Sequence, residues 1–428
     1  MSGTRNSRWL LLALLAAALV VRLAAGVWWQ ERLPEGTRFA FGDSESYWEL
    51  GRAIAAGRPY EFGPHRLRVF RTPGYPLLLA GLFQVVGDDP PVIYGRVLSA
   101  LLGTLAVGCV SGLAWVLFDS RTALIATAIA AVYPGAIALS TFVLSEAPFC
   151  PLMLMQLIGW ACAWKATDPK QIVSWSLLAG VAAGLATLMR PSWLLFTPFA
   201  GVIGIAFADQ RGRQLIIVGL MLFGLCLTMS SWWIRNYMVV GRFVPTSLQV
   251  GASLYDGLHP AATGGSDMRF VARFEAEQLG ADARNPNLPG NFEERLDERM
   301  RQASIAWARE NPGRVAELIA IKFSRMWSIL PNAAEMQGWT IRLALAVTYT
   351  PIMILVLIGA WRYARRDWPI ALLLLPAVYF TCLHVIFVSS IRYRQPAMLP
   401  LIILAAAVLA ALWHPRSKDI QRRFVATQ

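Results

Sequence analysis

Ten apolar runs decide most of what this chain can become. They cover residues 9–29, 92–118, 123–142, 148–164, 172–189, 193–208, 215–233, 341–361, 368–389 and 396–413. Each is close to the roughly 20 residues that an α-helix needs to cross the hydrocarbon of a bilayer. A chain that is 56% hydrophobic and 15% charged is also excluded from the ordinary soluble domains. The pattern predicts an all-α polytopic membrane protein, a bundle of about ten transmembrane helices. One further apolar stretch, 75–86, is too short to span, and spanning would invert everything after it. The expectation there is a helix dipping into the outer leaflet or packed beneath the first loop. The run 9–29 could pass for a signal peptide. Its length and the lack of a convincing cleavage site favour an uncleaved first span.

The net charge of +13 suggests a nucleic-acid partner at first sight. The arginines argue against one, because they sit between apolar runs rather than on one soluble face. Membrane topology and anionic lipid account for them better. Arg5 and Arg8, Arg121, Lys165 and Lys170, Arg211 and Arg213, Arg362 with Arg365 and Arg366, and finally Arg416, Lys418, Arg422 and Arg423 fall on alternate connections. The positive-inside rule makes those connections, and both termini, cytoplasmic. The opposite, outer side then receives residues 42–76, Ser145-Glu146, Arg190, the long segment 235–340, and Arg392 with Arg394.

Three regions follow. Residues 1–233 form an N-terminal transmembrane module that includes the first outer loop, 30–76. Residues 234–340 form a long outer region, and 341–428 hold the last spans and the tail. The outer region opens with turn-rich sequence, GGSDM and NPNLPG, and continues with helical pattern over 292–310 and 312–329. The second of these carries Val315, Leu318, Ile319, Ile321, Phe323, Met326 and Trp327, which suits a helix lying on or against the membrane. The five cysteines all fall inside apolar runs, without metal-ligand spacing, and read as free buried thiols.

The chemistry concentrates in 42–76, GDSESYWELGRAIAAGRPYEFGPHRLRVFRTPGYP. Asp43 stands at the start of a short amphipathic helix that stops at Gly57. Either Asp43 or Ser44 caps that helix, or Asp43 is a base; a capping acid can do both. Arg66, Arg68 and Arg71 follow, before a Thr-Pro-Gly-Tyr-Pro turn whose prolines should hold Arg71 rigidly. Alternation with Leu67 and Val69 would point Arg66 and Arg68 the same way on an extended segment. An acid beside arginines suits proton removal coupled to stabilisation of a leaving phosphate. Glu146, in VLSEAPF, is either a second site acid or an interfacial acid at a helix N-terminus. Arg190 and Arg235 lie at outer span ends and either snorkel to headgroups or bind substrate. Arg392 and Arg394 bracket Tyr393 before the last span and are candidate phosphate ligands. Tyr47 and Tyr255 complete the candidate substrate contacts. No histidine is assigned a role. The sequence shows no metal-ligand cluster and implies no cofactor, so the arginines are left to meet a phosphate.

GDSESYWELGRAIAAG, FRTPGYPLLLAGLF, VLSEAPF, GLATLMRP, WWIRNYMVVGRFVPTS with LYDGLHPAATGG, and RYRQPAMLPL, in this order, resemble the GT-C superfamily of integral-membrane glycosyltransferases. The branch is that of the dolichyl-phosphate-mannose protein mannosyltransferases and the lipid A aminoarabinose transferases. The resemblance spans most of the chain. It implies a GT-C-like bundle with outer-face amphipathic helices and an inverting transfer from a polyprenyl-phosphate sugar. It also implies a periplasmic site in a bacterial inner membrane. Asp43 matches the family's first-loop acid and Glu146 approximates a second one. Arg71 is the counterpart of a cation before the first-loop proline, although relatives often place a lysine directly before that proline, where this chain has Thr72. Protein mannosyltransferases carry adjacent acids where this chain has Gly42 and Ser44, which argues against a protein-mannosylating role.

The expected reaction is a single displacement in which Asp43 takes the acceptor proton. Arg71, with Arg66, Arg68 or an arginine of the RYR motif, stabilises the leaving lipid phosphate, and Glu146 orients the sugar or supports an arginine. The acceptor is a lipid, a glycan or a protein. A polymerase or ligase of lipid-linked glycans would share this chemistry. A lipid flippase would need charged groups near the midplane of the spans, where the sequence places almost no acids.

Overall fold

The computed structural model describes residues 2–39, 41–285, 287–332, 338–364 and 367–413. Arg365, Arg366, His414 and the tail charges Arg416, Lys418, Arg422 and Arg423 lie outside the described residues. The helices run in order α1 (Ser2–Gln30), α2 (Gly42–Ala55), α3 (Gly74–Val86), α4 (Ile93–Leu117), α5 (Ser120–Val132), α6 (Pro134–Leu139), α7 (Glu146–Lys165), α8 (Pro169–Met189) and α9 (Phe196–Phe207). They continue with α10 (Arg211–Val240), α11 (Val250–Gly257), α12 (Met268–Ala283), α13 (Phe292–Glu310), α14 (Pro312–Trp327), α15 (Trp339–Tyr363), α16 (Trp368–Ala371), α17 (Leu375–Ile386) and α18 (Ile391–Leu412).

Among the described residues, eight helical segments are long and apolar enough to span: α1, α4, α7, α8, α10, α15, α16 with α17, and α18. The other two apolar runs are not unbroken spans. The run 123–142 breaks at Tyr133, whose backbone is extended at φ −65° and ψ 116°. Pro134 causes this, because it has no N–H to offer the Ala130 carbonyl and disfavours a helical residue before it. Arg22 of α1, fully buried, takes up the freed acceptors. It donates to the carbonyls of Ala130 (3.1 Å) and Ala131 (3.0 Å), and to Ser140 Oγ (3.2 Å). The run 193–208 loses its first turn to the 3₁₀ turn Pro191–Trp193, leaving α9 with 12 residues. The short run near 75–86 is α3, of 13 residues, packed on α2 so closely that a Cβ at Gly51 would lie 2.9 Å from Leu79 Cβ.

Small residues let the central helices touch. A Cβ on Gly180 of α8 would stand 2.3 Å from the Met221 carbonyl oxygen of α10, and one on Gly159 of α7 would stand 2.9 Å from Ala179 Cβ. Without a hydrophobic drive between helices in lipid, such close backbone approach is what holds spans together. In the outer region α13 and α14 fall where the helical pattern predicts them. α13 is opened by a capping box between Asn291 and Glu294. Turn-rich sequence hid α11 and α12. On α14 the buried face is Leu318, Lys322 and Met326, while Ile319 and Phe323 are exposed. Lys322 Nζ closes two helix ends by donating to the carbonyls of Gly257 (2.9 Å) and Ile386 (2.7 Å).

Candidate active site

Asp43 sits in the first turn of α2, but the residue that caps α2 is Phe41, and no side chain supplies the cap. The expected capping role is therefore not taken up. Its carboxylate turns instead to two arginines from distant parts of the chain. Arg71 Nη2 donates to Asp43 Oδ1 at 2.7 Å, and Arg392 Nη1 and Nη2 approach Oδ2 at 3.5 Å. Arg392, in the first turn of α18, also donates through Nε to Glu146 Oε1. Arg190, just past α8, reaches the same Oε1 at 2.8 Å. Glu146 is fully buried at the N-terminus of α7, where the helix dipole favours an anion. Five charges thus form one chain: Arg71, Asp43, Arg392, Glu146, Arg190. Three arginines against two carboxylates leave one positive charge in excess.

Arg71 is held on every side. Nη1 donates to Gln249 Oε1 (2.8 Å) and Nε to Ser46 Oγ (3.1 Å). Its guanidinium lies 4.7 Å from the Phe70 ring and 5.1 Å from the Tyr47 ring. The Tyr60 hydroxyl donates to the carbonyls of Arg71 (3.1 Å) and Thr72 (3.3 Å), fixing the backbone. Burial pushes Asp43 toward neutrality, but Arg71 and then Arg392 pull harder and hold the carboxyl below its ordinary value. Burial likewise opposes the Arg71 charge, and Asp43 outweighs it, so the guanidinium is held above its ordinary value. The side chain of Asp43 is still 40% exposed, which leaves it open to a second molecule.

Other residues singled out in the sequence lie elsewhere. Arg66 is exposed and adopts φ 51° in the tight turn closed by the Phe62–Leu67 bridge, so it does not share an extended segment with Arg68. Arg68 is paired with Glu61 at 2.9 Å. Arg235 donates to the Arg68 carbonyl (2.8 Å) and stacks near Trp232 and Tyr60, bracing the first loop. Arg394 is buried and spent on the carbonyls of Met326 (2.8 Å) and Ser328 (2.5 Å), over the Tyr349 ring. Tyr255 packs against His259 and Phe274 of the outer region. Gln249, Ser46 and Tyr60 escaped sequence reasoning, because nothing marks a lone Gln, Ser or Tyr as an arginine ligand. Among the described residues no three His, Cys, Asp or Glu side chains converge as metal ligands would.

An apolar groove ends beside this centre. A cavity of about 200 Å³ between α1, α6 and α15 is lined by Trp28, Trp29, Ile137, Phe142 and Leu345. A second, of about 470 Å³, adjoins it along Trp28, Trp29, Arg32 and Phe39. Phe142 makes an edge contact with Phe41 (4.9 Å), and Arg392 lies 5.3 Å from the Phe41 ring. Two aromatic rings therefore separate the groove from the arginines.

Residues 71–234 match the family model described as dolichyl-phosphate-mannose-protein mannosyltransferase. No curated protein matches the sequence. The oligosaccharyltransferase of Archaeoglobus fulgidus in its apo form superposes with a TM-score of 0.60 at 16% identity, over 94% of this chain and 51% of that one. The same archaeal enzyme, AglB, in complex with an inhibitory peptide and a dolichol-phosphate gives 0.56 at 17% identity, over 98% and 52%. This chain has the GT-C fold. It spans about half the length of those oligosaccharyltransferase chains. ArnT from Cupriavidus metallidurans, in the apo state, gives 0.44 at 17% identity, over 95% and 77%. Within the GT-C fold, the matched family segment begins at Arg71 itself and contains Glu146 and Arg190.

Proposed function

We propose that the protein transfers a sugar from a polyprenyl-phosphate donor to an acceptor hydroxyl by an inverting single displacement. One observation carries this reading: an accessible carboxylate, Asp43, paired to Arg71 and Arg392 within a chain of three arginines and two carboxylates of net charge +1, beside the end of an apolar groove. A polyprenyl-phosphate sugar has a long apolar tail and an anionic phosphodiester, and the groove and the arginines suit those two halves. AglB, of the same fold, was captured with a dolichol-phosphate, a lipid phosphate of this class.

In the displacement, the acceptor oxygen attacks the anomeric carbon while that carbon's bond to the phosphate oxygen breaks. The bonding pair leaves with the phosphate, and the acceptor proton passes to Asp43. Arg71 and Arg392 meet the charge as it builds on the phosphate. Glu146 and Arg190 hold Arg392 from behind. The outer region, 234–340, roofs the site and selects the acceptor, whether lipid, glycan or protein. We assign the site to the face away from the cytoplasm, in a bacterium the periplasmic side of the inner membrane; the support is that Lys165, Lys170, Arg211 and Arg213 lie at the helix ends remote from the site.

The test is to incubate purified protein with a panel of polyprenyl-phosphate sugars, measuring released lipid phosphate and the anomer formed. Transfer with inversion is expected from at least one donor, and Asp43→Asn should abolish it while leaving the fold intact. Undiminished turnover by Asp43→Asn would remove the base from the mechanism.

A further inference from the structure

Two loops from distant parts of the chain meet at Arg71, and a helix outside the bundle grips both. Val69 is fully buried. Its N–H and that of Arg68 donate to the Glu293 carboxylate, at 3.1 Å and 2.8 Å, and its carbonyl accepts from the Leu248 N–H at 2.9 Å. The residue after Leu248 is Gln249, whose Oε1 receives Arg71 Nη1. Two residues on, the Gly251 N–H donates to Asp297 Oδ1 at 2.7 Å. A Cβ on Gly251 would fall 2.0 Å from the Asp297 carbonyl oxygen, so this approach admits only glycine. Glu293 and Asp297 are four residues apart on α13 and therefore share one face, about 6 Å apart along the helix. One carboxylate takes each loop, and the two loops are laced to each other between them.

We propose that Gln249, Glu293 and Asp297 are positioning residues for Arg71. α13 clamps segments 68–71 and 248–251 side by side, so that Gln249 fixes the guanidinium where it meets the leaving phosphate. The last clause rests on the donor reading above. Gln249 suits the task chemically. Its neutral oxygen orients the guanidinium without cancelling the excess positive charge of the cluster, which a second carboxylate would do. The long outer region is then part of the phosphate site as well as its roof, and whatever moves α13 moves Arg71.

The experiment uses the full-length protein in nanodiscs, with two readouts. The first needs no ligand: the rate at which phenylglyoxal modifies Arg71, followed by peptide mass spectrometry. The second is affinity for undecaprenyl phosphate. Gln249→Ala should speed Arg71 modification several-fold, and Glu293→Gln and Asp297→Asn should do the same. Unfolding temperature should not change in Gln249→Ala. Undecaprenyl phosphate should bind about tenfold more weakly to Gln249→Ala. Gln249→Glu should bind it more weakly still while keeping Arg71 slow to react, a charge effect that a purely structural role would not produce. Should the α13 variants fail to fold, the two Gln249 variants carry the test alone. Wild-type Arg71 reactivity in Gln249→Ala overturns the inference. If reactivity changes as expected but the wild type does not bind undecaprenyl phosphate, the positioning of Arg71 stands and the donor reading falls.

Discussion

A carboxylate paired to two arginines is a poor base, and in the proposed displacement Asp43 has to be relieved of that pairing before it can take the acceptor proton. In the free protein the arginines win over burial and hold its carboxyl below the ordinary value near 3.9. Its ion pairs therefore contribute stability above that value and lose it as pH falls through the lower folded value. A bound phosphodiester brings an anion to the same guanidiniums, which weakens their hold and raises the basicity of Asp43. The kinetics should separate the two states, because kcat/KM reports the free enzyme and kcat the complex. The acid limb of kcat/KM is expected below about pH 4, with the limb of kcat displaced to higher pH. Coincident limbs would show that substrate leaves the pairing intact. Arg71 supplies a companion prediction. Three acceptors, on Asp43, Ser46 and Gln249, are met by one planar fork. Lysine offers a point charge and cannot serve them together. Arg71→Lys should lose much of the turnover and Arg71→Ala nearly all, about 10²- to 10³-fold. The same assay should find Arg66→Ala and Arg68→Ala much milder, since both side chains are exposed.

At the scale of helices, what sequence reading misses is rotation and interruption. Arg392 and Arg394 stand two residues apart, about 200° around α18, since each residue turns the helix by roughly 100°. One therefore faces the charge chain and the other the carbonyls of α14 and the turn after it, and nothing in RYRQP says which. Hydropathy also passes over Pro134, so 123–142 reads as one span where the chain forms α5 and α6. Arg22 went unnoticed for the same reason: its partners are carbonyls that only the break exposes. The pair can be tested together. Arg22→Ala should strand two buried carbonyls at a cost of about 1–3 kcal/mol each, seen as a lower unfolding temperature. Adding Pro134→Ala should recover part of that loss, because residue 134 then has an N–H to offer Ala130. A double variant no more stable than Arg22→Ala would mean that the break has another cause.

For the whole molecule, sequence reading counts ten crossings and takes its parity from them; among the described residues eight helical segments are long and apolar enough to span, and the other two runs hold the shorter helices α5, α6 and α9. That parity made much of the site visible in sequence. Asp43, Glu146, Arg190 and Arg392 each border an apolar run on the same side, so an orientation rule alone gathers them at one end. Gln249, which also holds Arg71, was invisible because its place depends on how the outer region folds back, which no span count contains. Orientation is therefore the property on which the functional reading leans, and it is open to direct measurement. Thr167, exposed between α7 and α8 at the end remote from Asp43, and Gly280, exposed on α12 of the outer region, bracket the molecule. The basic residues near Thr167 predict a cytoplasmic position for it. In intact spheroplasts, Gly280→Cys should react with a membrane-impermeant maleimide, while Thr167→Cys should react only after permeabilisation. The opposite pattern would place the charge chain inside the cell, and a transferase acting on the outer face would have to be abandoned.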